Sequence, residues 1–254
     1  EPTDPARLAA PVMGLKLEWL LYAIGLVAVV VCWWLVQNQA VVGTLLGVAG
    51  FALVSYVIGT AVLKLPAEDR DRIFAALFLI VGSIMFWALF EQAGSSLNLF
   101  TDRHVDRSVF GWEPTAAQFQ SLNAIYIVLL APFFAGLWTW LGRRNLEPST
   151  PVKFGLAMFQ LGFGFLVLKW GAEAAGMGTL VPVLFIFLIY LLHTTGELCL
   201  SPVGLSAMNR LAPAHLASLI MGTWFFASAT GNFAAGLIAA ATGSEKVSGE
   251  GAGK

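Results

Sequence analysis

The chain has 254 residues, 58% of them hydrophobic and only 11% charged, with a mean hydropathy of +0.78. Soluble domains carry about 25% charged residues, so this composition excludes a soluble globular protein and defines a membrane protein. A formal net charge of -1 gives no hint of a nucleic-acid partner.

An α-helix crosses the hydrocarbon with about 20 apolar residues, so the polar breaks divide the chain into spans. Seven spans are predicted, at about 16–37, 41–64, 72–99, 119–141, 153–171, 179–204 and 215–241. Lys and Arg orient them. With the N-terminus inside, the cytoplasmic breaks collect Arg7, Lys16, Lys64, Arg70, Arg72, Arg143, Arg144, Lys153 and Arg210. The other side holds Arg103, Arg107, Lys169, Lys246 and Lys254, so the excess favours an inside N-terminus. Trp33, Trp34, Trp112, Trp138, Trp140 and Trp170 fall near span ends, where interfacial aromatics are expected. The absence of an initial Met and of a signal-peptide pattern is expected of a piece of a longer polypeptide, with an eighth span beyond it. The Gly/Ser-rich stretch Thr242–Lys254 is expected to be a mobile polar loop. Cys32 and Cys199 sit in apolar segments with no CxxC or histidine partner, so core packing is expected of both.

The first two spans carry only Ser55, Tyr56 and some glycines as polar content, and read as peripheral packing helices. The third places Ser83, Trp87, Glu91, Ser95 and Asn98 on one helical face, and Gln92 after Glu91 predicts a wet end. The fourth has Asn123 and Tyr126 one turn apart, with Pro132 as a predicted kink. Gln160 and the small residues Gly155, Gly162 and Gly164 in the fifth read as close helix packing. In the seventh, Trp224, Ser228 and Asn232 share a face, and Gly222, Gly231 and Gly236 permit close approach.

The sixth span carries the strongest signal. Tyr190, His193, Thr194, Glu197 and Ser201 form one polar face on an otherwise apolar helix. An acid at that depth costs about 2.5–3.5 kcal/mol on insertion scales, so it is a functional candidate by default. The bland alternative is a buried acid hydrogen-bonded for packing, and His193 is expected to be a hydrogen-bonded histidine rather than a catalyst. Gly196 and Pro202 beside the acid are of the kind tolerated where neighbours or water re-satisfy the backbone, as at a cavity. No Lys or Arg lies in the middle of any span, so Glu91 and Glu197 have no cation at their depth. A buried carboxyl in that position is cheapest protonated until a cation arrives. Exchange of a proton for a visiting cation is the physical core of a proton symporter.

Gly196-Glu-Leu-Cys-Leu-Ser-Pro-Val-Gly-Leu-Ser206 resembles the GELxxSPxGLS signature of proton-coupled oligopeptide transporters, in the major facilitator superfamily. Phe86-Trp-Ala-Leu-Phe-Glu-Gln-Ala-Gly-Ser-Ser96 is similar to that family's seventh helix, and Phe119-Gln-Ser-Leu-Asn-Ala-Ile-Tyr126 to the start of its eighth. Met221-Gly-Thr-Trp-Phe-Phe226 with Gly231-Asn232 is similar to its eleventh. The resemblance implies an all-α membrane protein, the C-terminal bundle of a bacterial-type member. Residues 1–71 would hold the inter-half linker and two extra helices, 72–241 helices seven to eleven, and 242–254 a polar extracellular or periplasmic loop.

It further implies proton-coupled symport of di- and tripeptides across the inner (plasma) membrane by alternating access. Protons are the coupling ion, and neither a cofactor, a metal nor catalysis is expected. By resemblance, Glu197 meets the peptide's amino terminus, Asn123 stands beside it, and Trp224 and Ser201 belong to the substrate site. Glu91 is implied in proton coupling and gating, paired with an arginine of the N-terminal half. That half, the peptide and lipid are the implied partners, with no nucleic acid. Ala124 stands where the family commonly has Pro, and no ExxER motif is present.

Competing classes fare worse. Another major facilitator transporter, for sugars, drugs or anions, would lack the GELxxSP stretch. A seven-helix receptor or retinal pump needs a lysine inside a late span, and the sixth and seventh contain none. A membrane enzyme would need an HExxH, GxGD or paired-aspartate motif, and His193 has no second metal ligand in sequence.

Overall fold

The computed structural model describes residues 11–12 and 15–244. Among these residues there are eight α-helices: α1 (Leu17–Gln37), α2 (Gln39–Lys64), α3 (Ala67–Phe90), α4 (Ser96–His104), α5 (Ser121–Arg143), α6 (Thr150–Ala175), α7 (Leu184–Leu211) and α8 (Ala217–Ser244). Seven segments are long and apolar enough to cross a membrane, α3 and α4 counting as one from Ala67 to His104. Of the polar tail expected after Thr242, residues 245–254 lie outside the described residues, as do the flanking cations Arg7, Lys246 and Lys254.

Each helix starts and stops for a local reason. Pro66 precedes α3, and Glu68 and Asp69 in its first turn favour the positive end of the helix dipole. Arg72 pairs back to Glu68 one turn earlier at 2.5 Å. Thr115 and Gln118 form a capping box ahead of α5, the Thr115 amide donating to Gln118 Oε1 at 2.8 Å. A proline in its first turn opens α6, and Gly176 at φ 79° ends it.

The chain divides within α2 into two compact units, one up to Val54 and one from Ser55 onward. In the first, no residue of α1 is buried. Cys32 is exposed there, so the expectation that it packs in a core is corrected; only Cys199 is buried. In the second unit α6 and α7 lie side by side along most of their length, α3 packs on α8, and α7 also meets α5 and α3.

Three sequence expectations change. The third span is not one continuous helix: α3 ends at Phe90, a 3-10 turn runs Glu91–Gly94, and Ser95 (φ -128°, ψ -97°) precedes α4. Gly94 and the two serines are poor helix formers, and the face assigned to Glu91, Ser95 and Asn98 is broken there. The predicted wet end is dry at Gln92, which is buried and donates from Nε2 to the carbonyls of Ala88 (3.0 Å) and Ala235 (3.2 Å). Lipid cannot satisfy backbone groups at a break, so a side-chain amide does. Finally, the sixth span starts at Leu184 rather than 179, because Val181–Pro182 pairs in parallel with Val105–Asp106.

Candidate functional site

Glu197 lies near the middle of α7, half-buried, with Thr194 fully buried on the preceding turn. Thr194 Oγ1 donates to the Tyr190 carbonyl at 2.7 Å, which leaves the hydroxyl an acceptor toward α5. Asn123, in the first turn of α5, fills that vacancy and more. Its Nδ2 donates to Thr194 Oγ1 at 3.1 Å and to Glu197 Oε2 at 2.9 Å. One donor of the amide thus holds the Glu197 carboxyl, and the other anchors Asn123 to the Thr194 hydroxyl on the same helix. One turn further along α5, the Tyr126 hydroxyl donates to the Phe187 carbonyl at 3.3 Å, a second polar link between the two helices.

The remaining carboxylate oxygen of Glu197 has no hydrogen bond among the described residues. Neither Glu197 nor Glu91 belongs to an ion pair there; the basic groups that pair are Arg70, Arg72, Arg107, Lys153 and Lys169. Glu91 is half-buried in the 3-10 turn that follows α3. Among the described residues no group of three or more His, Cys, Asp or Glu side chains could hold a metal ion.

The other expected residues fall in different places. Ser201 is half-buried one turn past Glu197. Trp224 is 2% exposed and packs over Gly204, two turns from Glu197, with its indole edge-on to Phe154 at 6.1 Å. It is a closed packing position here, and nothing brings it to the Asn123–Glu197 pair. Gly196 serves helix approach rather than a cavity: a Cβ there would lie 3.0 Å from the Ala157 carbonyl of α6. Of the glycines expected to mark close packing, Gly164 and Gly231 do so, while Gly155, Gly162, Gly222 and Gly236 face open space. Gln160 touches the site's helix by donating to Cys199 Sγ at 3.6 Å.

The expected hydrogen-bonded state of His193 is also corrected. The ring is 2% exposed, and neither Nδ1 nor Nε2 makes a hydrogen bond. It lies against Phe165 (4.9 Å between centroids) and Phe90 (6.1 Å). The role of Thr194 was legible only as part of a polar face; its spacing of three before the acid was the available signal.

A bundle of membrane-crossing helices, with an anchored carboxyl at mid-helix and no ion pair to it among the described residues, is the arrangement of a polytopic membrane protein of the transporter type. The POT family model (PTR2) matches residues 31–252. The chain belongs to that family. It is 41% identical over 177 residues to the peptide transporter YePEPT of Yersinia enterocolitica, covering 69% of this chain and 35% of that protein. It is 33% identical over 229 residues to dipeptide and tripeptide permease B of Aliivibrio fischeri, covering 88% and 46%.

Among solved structures, a mutant of peptide transporter POT in complex with alafosfalin matches with a TM-score of 0.73 at 32% identity, over 94% of this chain and 49% of that one. A POT family transporter in complex with 5-aminolevulinic acid matches with a TM-score of 0.71 at 26% identity, over 88% and 47%. The fold is therefore that of a major facilitator transporter of the POT type, embedded in the membrane. The chain spans about a third to a half of the length of the proteins it matches.

Proposed function

We propose that this chain is the C-terminal part of a proton-coupled symporter of di- and tripeptides in the inner membrane, residues 72–241 supplying helices seven to eleven of the transporter fold. The single observation that carries the proposal is the Asn123–Glu197 hydrogen bond at mid-helix, with no ion pair to Glu197 among the described residues. An acid fixed by an amide, with its second oxygen unused, complements a group that brings positive charge and several donors. An α-ammonium is such a group. The names of the relatives, peptide transporters and a dipeptide and tripeptide permease, favour a peptide as its bearer.

In this proposal Glu197 receives the peptide's amino terminus and Asn123 keeps the carboxylate aimed at it. Ser201, one turn on, lines the same face, and Trp224 sets the approach of α8 to α7 below the site. Cationic residues of the N-terminal half hold the peptide carboxylate. Glu91 carries the coupling proton, and its protonation frees it from an arginine of that half. Access alternates by rocking of one half against the other around a site at mid-membrane depth.

The test is dialanine uptake by the full-length protein in proteoliposomes with an imposed inward proton gradient. Glu197→Gln removes the charge and keeps the shape, so the amine loses a charge-assisted bond and uptake falls about tenfold to a hundredfold. Near-normal uptake would remove the acid from the site.

A further inference from the structure

Six buried side-chain polar atoms lack a hydrogen bond among the described residues, and their placement is uneven. Ser83 Oγ and Trp87 Nε1 lie on α3, Asn98 Oδ1 on α4, and both ring nitrogens of His193 on α7; Trp138 Nε1 stands apart on α5. Five of the six therefore belong to the segment flanking the α3 break or to a ring packed against its last residue, Phe90. They are already covered by this chain, so a partner reaches them only if the segment rearranges.

His193 is the clearest case. Its ring occupies a notch at Gly164 of α6, where an added Cβ would come 2.9 Å from Cδ2 and 3.0 Å from Nε2. The Leu161 carbonyl on α6 lies beside the ring but outside hydrogen-bond geometry. Phe165 and Ile189, from the tightly paired α6 and α7, make two walls. The third wall is Phe90, which stacks on Phe86 at 5.5 Å and is followed directly by the Glu91–Gly94 turn. Two walls are thus built into helix pairing and one belongs to a helix end. On α7 the next residue after His193 is Thr194, which with Glu197 accepts from Asn123.

We propose that His193 is a positioning residue coupling the α3 break to the Glu197 site: its unpaired buried ring disfavours this arrangement of the Glu91–Gly94 turn and gains a hydrogen bond when Phe90 moves off it. A polar group buried without a partner weakens the conformer that buries it, and only that one. A ligand or proton acting at Glu91 then needs less free energy to shift the equilibrium, because the two arrangements lie closer together. The inference rests on the alternating-access reading above for its role in transport, but not for its physical content.

The experiment uses the full-length protein in lipid nanodiscs, with His193→Phe and His193→Gln. Phenylalanine fills the slot without nitrogens and should hold Phe90 in place. Amide hydrogen exchange over residues 91–98 then slows about tenfold, while His193→Gln, which still hydrogen-bonds, stays near wild type. In proteoliposomes His193→Phe lowers the maximal rate of dialanine uptake about tenfold with KM changed less than about threefold, since no peptide-binding atom is touched. Unchanged exchange in His193→Phe, or an equal change in both variants, overturns the proposal whatever the transport rate, because a ring that only packs would be altered alike by both replacements. Absence of dialanine uptake by the wild type would instead sink the peptide assignment and leave the exchange comparison decisive here.

Discussion

Gln92 shows how much one side chain can settle. Its amide closes the gap left where α3 turns into a 3-10 segment and at the same time ties that segment to α8 through the Ala235 carbonyl. Gln92→Leu removes the bond to the Ala88 carbonyl at the break and the tie to α8 through Ala235, so it should cost about 1–3 kcal/mol by thermal unfolding in detergent. No shift in the midpoint would mean that water already reaches the break. Glu197 presents the opposite balance, since its amide partner is fixed while one of its oxygens is unused. The placement of Glu197 within a long apolar helix was legible in the sequence because an acid in an apolar run stands out at any helical phase. The dry bonding of Gln92 was not, because hydropathy cannot tell an interfacial amide from one that satisfies a broken backbone. The unpaired state of His193 was equally hidden, since it depends on Gly164 and Phe165 from another helix.

At the scale of elements, the apolar runs located all seven crossings, because length and hydropathy alone decide whether a segment can span lipid. What they missed lies where chain chemistry competes with hydropathy. The α3 break falls on the short polar run Glu91-Gln-Ala-Gly-Ser-Ser96, which hydropathy averaged over a whole span absorbs into one crossing. The late start of α7 follows from the pairing of Val181–Pro182 with Val105–Asp106, a contact between remote segments. Small residues mislead in the same way, as periodicity cannot say which glycine meets a neighbour. Gly231 does: an added Cβ would come 3.0 Å from the Ile84 carbonyl and 3.3 Å from the Ala88 amide, backbone that cannot swing aside. Gly231→Ala should therefore force α3 and α8 apart and cost about 1–3 kcal/mol. Gly236→Ala on the same helix, with nothing within 4 Å, should be neutral or gain up to about 1 kcal/mol from helix propensity. Equal midpoints for the two variants would contradict the α3–α8 contact.

For the whole molecule, two acids sit in differently built places. Glu197 is held by an amide within a continuous helix, whereas Glu91 stands in a turn that breaks one. A fixed acid suits recognition, since binding then loses little to reorganisation. An acid at a break suits gating, since its charge state can bias a segment with two arrangements. The coupling proposed above needs both, and the distinction appears only when binding and proton flow are measured separately. Glu91→Gln keeps the size of the side chain and mimics its protonated form permanently. The full-length variant should therefore still exchange labelled for unlabelled dialanine in counterflow, within about threefold of wild type. Uptake driven by an imposed proton gradient should fall by more than about tenfold, because the step that releases the proton is gone. Equal loss of both activities would place Glu91 with Glu197 in the proposed binding step and move the coupling proton to the proposed N-terminal half.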